Sequence, residues 1–318
     1  MTTRDEPPLA SAAVATRAEW IAVDWGTSHL RAWAMTGSRV MDSACSQQGM
    51  GVLAREEFEA ALLDLVAGWL PAQGDMQIIA CGMVGSRQGW VEAPYRAVPC
   101  VPLDPSGSVL APARDPRLRV HVVPGLRQDS PADVMRGEET QIAGFLAGNP
   151  GWDGVLCLPG THSKWVHLSA GEVVSFQTFL TGEMFALLSE HSVLRHSLAG
   201  WDEGGFHQGL DLGLERPDRL LARLFALRAE GLLHGLDPAQ ARARLSGLLI
   251  GAELAAARPF WLGQRVGVIG TNALARAYAT ALARLSVPVS AHDGDALTLA
   301  GLCAARAQLN TGTRTCAN

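Results

Sequence analysis

The chain reads as an α/β protein of two lobes, each built on a mixed sheet, and three observations lead there. At 318 residues, nearly half of them hydrophobic, it is long for one core and comfortable for two. Short apolar runs that read as strands are interspersed with longer stretches whose apolar residues recur at three- and four-residue spacing, as helices require. One local pattern, an apolar run, a glycine-hydroxyl turn and a returning apolar run, occurs near residue 24 and again near residue 160.

Residues 1–17 mix charges and prolines with an alanine-rich piece, lack the continuous apolar core of a secretory signal, and read as a disordered tail. Trp20-Ile21-Ala22-Val23 is a strand ending on Asp24; Gly26, Thr27 and Ser28 form a tight turn, and Leu30, Ala32 and Trp33 return antiparallel. Such a hairpin gathers a carboxylate and several backbone N–H groups at one point, which suits a hydrated divalent cation and a phosphate chain. The plainer alternative is an aspartate satisfied by its own turn. Residues 39–53 add a short strand and a glycine-rich turn, and residues 56–70 place Phe58, Leu62, Leu65, Val66 and Trp69 on one helical face that Pro71 stops. Ile78 to Cys81 is a buried strand. The loop after it, GMVGSRQGW at 82–90, puts Gly82, Met83, Ser86 and Arg87 at a strand end, where open α/β folds collect ligand contacts.

Six prolines between residues 91 and 118 predict irregular connection, and Val120 to Val123 a short strand. Residues 133–148 predict a helix capped by Asp133, with an apolar stripe of Ile142, Phe145 and Leu146. Its start is densely polar: Arg136, Glu138, Glu139, Thr140, Gln141. Acids in a first turn ordinarily complement the helix dipole, yet a cluster this dense also fits a cleft wall.

The second lobe restarts the pattern with strand 154–158, the turn PGTHSK holding Gly160, Thr161 and Lys164, and a returning strand 165–168. Two such hairpins can face two phosphate loops across a cleft. Residues 183–199, 217–234 and 238–257 read as helices. His191 and His196 beside Glu190 are five residues apart, a spacing that does not bring both imidazoles to one helical face, so no metal site is read there. Val266 to Ile269 is a buried strand that turns through Gly270, Thr271 and Asn272 into a helix, a common seat for a nucleotide. Asp293 and Asp295 then precede a final helix that crosses back toward the first lobe. The lobes are expected at 18–130 and 131–318.

A formal charge of −5 without a long basic run argues against nucleic acid or a membrane surface as partner, and favours a small ligand. The longest strongly apolar stretch, 245–257, is interrupted by Glu253 and too short to span a bilayer. Six scattered cysteines with no CxxC pair read as reduced thiols, so a soluble, cytoplasmic protein is expected. A homo-oligomer is compatible with the sequence.

DWGTS at 24–28, LPGTHSKWV at 158–166 and GTNALARAY at 270–278 resemble, in that order, the two phosphate loops and the adenosine loop of the actin/hexokinase/Hsp70 ATPase superfamily. Neither GxxxxGK[ST] nor GxGxxG occurs. Within that superfamily IAVDWGTSHLRAW, GMVGSRQGW, APY at 93–95, VPGL at 123–126, VMRGEETQ, PGTHSKWV, TGE at 181–183 and LSGLLIGAE at 245–253 are similar to the 2-dehydro-3-deoxygalactonokinase family. The resemblance implies a two-lobed actin-like (ribonuclease H-like) fold with mixed sheets and an interlobe cleft. It also implies ATP- and Mg²⁺-dependent phosphorylation of the 6-hydroxyl of 2-dehydro-3-deoxy-D-galactonate, in galactonate catabolism.

By the same resemblance Asp24 holds Mg²⁺ through water, Gly26, Thr27, Ser28, Gly160, Thr161 and Lys164 meet phosphates, and Gly270, Thr271 and Asn272 meet the adenosine. Lys164 serves phosphate or substrate. Related sugar kinases carry an aspartate as base where this chain has Glu138 and Glu139; Glu139 is favoured by its spacing to Gln141, with Glu138 its neighbour and rival. The substrate carboxylate calls for a guanidinium, from Arg31, Arg87 or Arg136, and Arg136 adjoins the candidate base. Gly82, Met83 and Ser86 complete the expected substrate loop. Two alternatives stay open: a kinase of the same superfamily acting on another sugar or sugar acid, and a non-enzymatic ATP-binding regulator, which would leave the acid cluster without a role.

Overall fold

The computed structural model describes residues 18–270 and 272–315, so the expected tail before residue 18 and Thr271 lie outside the described residues. The chain divides into two compact units, residues 1–151 with 295–318, and residues 152–294.

In the first unit β1 (Trp20–Trp25), β2 (Leu30–Thr36) and β3 (Arg39–Ser46) form an antiparallel meander. After helix α1 (Phe58–Val66), β4 (Met76–Gly82) joins β1 in parallel. Past the short strands β5 (Tyr95–Ala97) and β6 (Val109–Leu110), β7 (Leu118–Val122) extends the sheet to the order β3-β2-β1-β4-β7-β6. Strand β1 is apolar from Trp20 to Val23 because both its faces are covered. Ile21, Val23 and Trp25 pack with Phe58, Leu62 and Val66 of α1, whereas Trp20 and Ala22 pack with Leu302 and Ala305 of the last helix (Gly294–Thr315).

A second, three-stranded sheet, β5-β8-β9, is completed by β8 (Gly125–Asp129) and β9 (Ala132–Met135). The helix expected from Asp133 therefore begins only at Glu138, as α2 (Glu138–Gly148): residues 132–135 pair with β8, and Gly137 at φ +106° turns the chain into the helix. The division at residue 151, rather than the expected 130, also has a physical basis. An added Cβ at Gly144 of α2 would lie 2.0 Å from the carbonyl of Leu297, and one at Gly301 2.0 Å from the carbonyl of Thr140. Helix α2 and the last helix are thus in backbone contact within one unit, an approach that only glycine permits.

The second unit repeats the meander as β10 (Gly154–Leu158), β11 (Ser163–Ser169) and β12 (Glu172–Phe179), antiparallel in turn. Helices α3 (Thr181–Glu190), α4 (Glu203–Glu215), α5 (Leu220–His234), α6 (Pro238–Ala256) and α7 (Arg258–Trp261) follow. Then β13 (Val266–Ile269) pairs with β10 in parallel, α8 (Ala273–Arg284) crosses over, and β14 (Val289–His292) gives the order β12-β11-β10-β13-β14. The predicted stretch 183–199 is a helix only as far as Glu190, followed by a short turn of helix at Val193–Ser197.

Helix α4 went unread in the sequence because Gly205, Gly209 and Gly213 look like breakers. They are contact points: an added Cβ would come within 2.7 Å of the Gln240, 2.3 Å of the Arg244 and 2.5 Å of the Leu248 carbonyl of α6. Gly247 and Gly251 of α6 meet the carbonyls of Phe206 and Leu210 in the same way.

Candidate active site

In the first unit the turn after β1 is closed by a hydrogen bond from the Gly26 N–H to the His29 carbonyl, 2.9 Å, and exposes Thr27 and Ser28. Met50 and Gly51 donate their N–H groups to the carbonyls of Gly26 and Thr27 at 3.0 and 2.8 Å. Gly49 lets that strap lie on the turn: an added Cβ would sit 2.3 Å from the Thr27 carbonyl oxygen. With two of its carbonyls bonded inward, the turn is left to present N–H and hydroxyl groups outward, as an anion site requires.

Asp24 stands two residues before the turn glycine and accepts a hydrogen bond from Arg31, its partner across β2, at 2.5 Å. The other end of that guanidinium pairs with Asp295, the second residue of the last helix. The Cys81 thiol reaches the second oxygen of Asp24 at 3.8 Å. Burial pushes the Asp24 carboxyl up, against the pull of Arg31, and Asp295 adds to the rise.

Gly82, at φ +89°, ends β4; an added Cβ on Gly137 would lie 3.4 Å from its Cα, so the 82–90 loop and the segment 136–139 adjoin. Met83 begins a helical turn there, and Ser86 behind it is buried. Glu139 is wholly buried in the first turn of α2, accepting from the Gly137 N–H at 2.6 Å and the Thr140 hydroxyl at 3.1 Å. Burial, with the neighbouring Glu138 charge, raises its pKa to about 7. Glu138 is half-buried and accepts from the Arg136 N–H at 3.1 Å.

Arg136 is buried as well: Nη2 donates to the Ala93 carbonyl at 2.8 Å, and the guanidinium stacks 4.3 Å from the centroid of Tyr95. Its Nε and Nη1, and the Ser86 hydroxyl, have no hydrogen-bond partner among the described residues. Buried donors of this kind are costly to leave unpaired, and they mark a place prepared for an acceptor. Arg87, by contrast, is exposed, with Nε 3.5 Å from Glu92.

In the second unit a cavity of about 990 Å³ is lined by Gly160, Thr161 and Asn272 together with Phe185, Ile250 and Leu274. It brings the second glycine turn and the third together. Gly182 packs on that turn as Gly49 does on the first, with an added Cβ 2.2 Å from the Gly160 carbonyl, while Glu183 N–H bonds the Thr161 carbonyl at 2.9 Å. Gly270, at φ +133°, donates to the His292 carbonyl at 2.7 Å, and the Asn272 side chain caps α8 through the Ala275 N–H at 2.9 Å. Lys164 is buried, its Nζ 3.4 Å from the His162 carbonyl.

Glu253 fixes this hairpin from α6. It accepts from Ser163 at 3.1 Å, Trp165 at 2.8 Å and Tyr278 at 2.6 Å, and from Thr181; burial raises its pKa and the bonds from Thr181, Tyr278, Trp165 and Ser163 oppose the rise. Sequence reasoning gave no role to Asp295, Glu253 or the cavity residue Arg242, whose guanidinium lies 5.3 Å from the Phe185 ring. The available signal was polarity at otherwise apolar helical positions: Arg242 and Ser246 are one turn apart on α6, and both line the cavity.

Two sheets of like order, each with a glycine-hydroxyl turn at its first hairpin, place the chain in the actin-like ATPase and sugar-kinase class. The activator of 2-hydroxyisocaproyl-CoA dehydratase from Clostridium difficile, 10% identical, shares the fold with a TM-score of 0.52 over 94% of this chain and 98% of that one. A protein from Sinorhizobium meliloti, assigned as a 2-dehydro-3-deoxygalactonokinase, is far nearer: 37% identity and a TM-score of 0.84 over 91% of this chain and 99% of that one.

The profile of the 2-keto-3-deoxy-galactonokinase family matches residues 24–305. The 2-dehydro-3-deoxygalactonokinase of Escherichia coli (strain K12) is 36% identical over 90% of this chain and 96% of its own length. A Rhizobium meliloti (strain 1021) protein assigned as 2-dehydro-3-deoxygalactonokinase DgoK1 is 39% identical over the same shares. The chain belongs to the 2-keto-3-deoxy-galactonokinase family and is a kinase.

Proposed function

We propose that this kinase transfers the γ-phosphoryl group of ATP to the 6-hydroxyl of 2-dehydro-3-deoxy-D-galactonate, with Glu139 as general base and Arg136 as receptor for the substrate carboxylate. The observation that carries the reading is the pairing of Glu139, buried with a pKa of about 7, with Arg136 three residues away and its two unpartnered nitrogens, Nε and Nη1. A sugar acid offers both groups what they lack, a carboxylate for the guanidinium and a hydroxyl for the base. Ser86 supplies a further donor, and Gly82 and Met83 shape the wall beside it. Glu138, turned onto the Arg136 N–H, raises the proton affinity of Glu139 instead of taking the proton itself.

As the acceptor oxygen bonds to the γ-phosphorus, Glu139 takes its proton, the bond from the γ-phosphorus to the β,γ-bridging oxygen breaks, and ADP leaves. The turn Gly26-Thr27-Ser28 and the turn Gly160-Thr161 bind phosphate oxygens; Gly270 and Asn272 hold the adenosine side, and Thr271 remains an expectation from the sequence. Lys164, buried behind the second turn, stiffens it from within.

Asp24 fits a hydrated Mg²⁺: a partly exposed carboxylate at the end of β1, three residues before Thr27 in the turn, offers the kind of oxygen ligand that ion takes with its waters. When bound there, Mg²⁺ supplies neutralisation of phosphate charge. No described helix is long and apolar enough to cross a membrane, and the reading places the reaction in the cytoplasm.

The test is phosphorylation of a panel of 2-keto-3-deoxy acids and neutral sugars, with the product position read by ³¹P–¹H NMR. The 6-phosphate of 2-dehydro-3-deoxy-D-galactonate should form with the highest kcat/KM, and Arg136→Met should raise KM for the acid about 10²-fold, the loss of a charge-assisted contact. A neutral sugar preferred over the acids would overturn the assignment.

A further inference from the structure

We propose that Arg31 and Asp295 form a clamp that positions Asp24, so that Arg31 is committed to the enzyme's own carboxylates instead of to the sugar acid. The inference rests on the reading of Asp24 as the carboxylate that holds Mg²⁺ through water. Asp24 and Arg31 are directly paired across β1 and β2, and the guanidinium, about one-third exposed, joins Asp24 at one end and Asp295 at the other.

Three features make this a positioning device. The first is anchorage: Asp295 lies in the first turn of the helix that meets α2 backbone to backbone through Gly144 and Gly301, with Gln141 reaching Thr298 at 3.4 Å. Asp24 is therefore referenced, through one guanidinium, to the same helix pair that carries Glu139. The second is direction. Arg31 takes Oδ2 of Asp24, which orients the carboxylate so that Oδ1 faces Cys81 and the bare Cα of Gly82, where an added Cβ would lie 3.3 Å away.

The third is charge. Asp24 with Arg31 alone is a neutral pair, which attracts a cation weakly; Asp295 returns the cluster to a net −1. An arginine held between two carboxylates in this way is poorly placed to recruit a third from a ligand, whereas Arg136 has donors to spare.

Calorimetric titration of ADP, with and without Mg²⁺, tests the clamp in wild type, Asp295→Asn, Arg31→Lys and Asp24→Ala, with circular dichroism confirming the fold of each. Asp295→Asn is expected to lower the ratio of Mg²⁺-ADP to ADP affinity about tenfold and to raise the Mg²⁺ needed for half-maximal turnover similarly, with sugar-acid KM changed less than about twofold. A ratio within twofold of wild type in Asp295→Asn, while Asp24→Ala collapses it, would sink the clamp and leave the metal reading standing. A wild-type ratio in Asp24→Ala would remove Asp24 from the metal site, and the clamp with it. A tenfold rise in sugar-acid KM in Arg31→Lys at an unchanged ratio would return Arg31 to the substrate.

Discussion

The two hairpins, β1–β2 and β10–β11, share a backbone and differ in what their acids do. Each opens an antiparallel meander, each is followed by a parallel strand at its inner edge, and in each a glycine three residues beyond the third strand, Gly49 or Gly182, lies on the turn. The first hairpin carries its own carboxylate, Asp24, and beyond it Glu139 stands buried with its proton affinity raised. The second hairpin has no acid in its strands or turn, residues 154–169. Its carboxylate, Glu253, comes from a helix and is bonded by Ser163, Trp165, Thr181 and Tyr278. The two turns are alike in backbone, while the carboxylates beside them differ in burial and in partners.

The sharpest way to break that contrast is to neutralise the two buried glutamates in turn. Glu139→Gln should lower kcat about 10³-fold, within the usual range for a lost general base, and leave ADP binding within twofold. In wild type kcat/KM should fall tenfold per pH unit below about 7, the ionisation of Glu139 in the folded chain.

The same group sets a stability signature. The folded chain keeps the Glu139 proton up to about 7, whereas the unfolded chain releases it near the ordinary 4.5, so more protons are bound in the native state across that window. Stability therefore falls as pH rises from about 4.5 to about 7, by on the order of 1–3 kcal/mol, and Glu139→Gln should flatten that fall in denaturant titrations at pH 5 and 8.

A smaller effect sharpens the likeness of the turns. Gly49→Ala and Gly182→Ala each drive a methyl group into a carbonyl and should raise KM for ATP about tenfold with a lesser change in KM for the acid. An effect from only one of them would mean the turns are alike in shape alone. Glu253→Gln should have the least effect on turnover, less than about fivefold, while losing on the order of 2–3 kcal/mol of stability by thermal melting, because an amide cannot accept all four donors. A kcat loss as large as that of Glu139→Gln would give the second unit a chemical role after all.

Much of this was legible in the sequence because turn chemistry is local. Asp24-Trp25-Gly26-Thr27 and Pro159-Gly160-Thr161 announce their hairpins from neighbours alone. What escaped depends on distant partners. Gly205, Gly209 and Gly213 are helix breakers until α6 supplies the carbonyls they rest on, and Asp133 is a helix cap until β8 pairs with the segment around it. The three arginines look alike in one dimension. Burial and partners separate them: Arg31 held by Asp24 and Asp295, Arg87 in solvent, Arg136 buried with donors unspent.

The first unit is assembled from two pieces of chain, residues up to 151 and those from 295 onward, with the whole second unit inserted between them. On the ribosome the inserted unit has every strand of its sheet in hand before the last helix is made, whereas β1 waits for Leu302 and Ala305 to cover one of its faces. The unit whose sheet is made first is thus the last to be sealed. A frameshift shortly before Gly301 should strike Glu139 and Asp24, more than 150 residues upstream, before it strikes the cavity of the second unit.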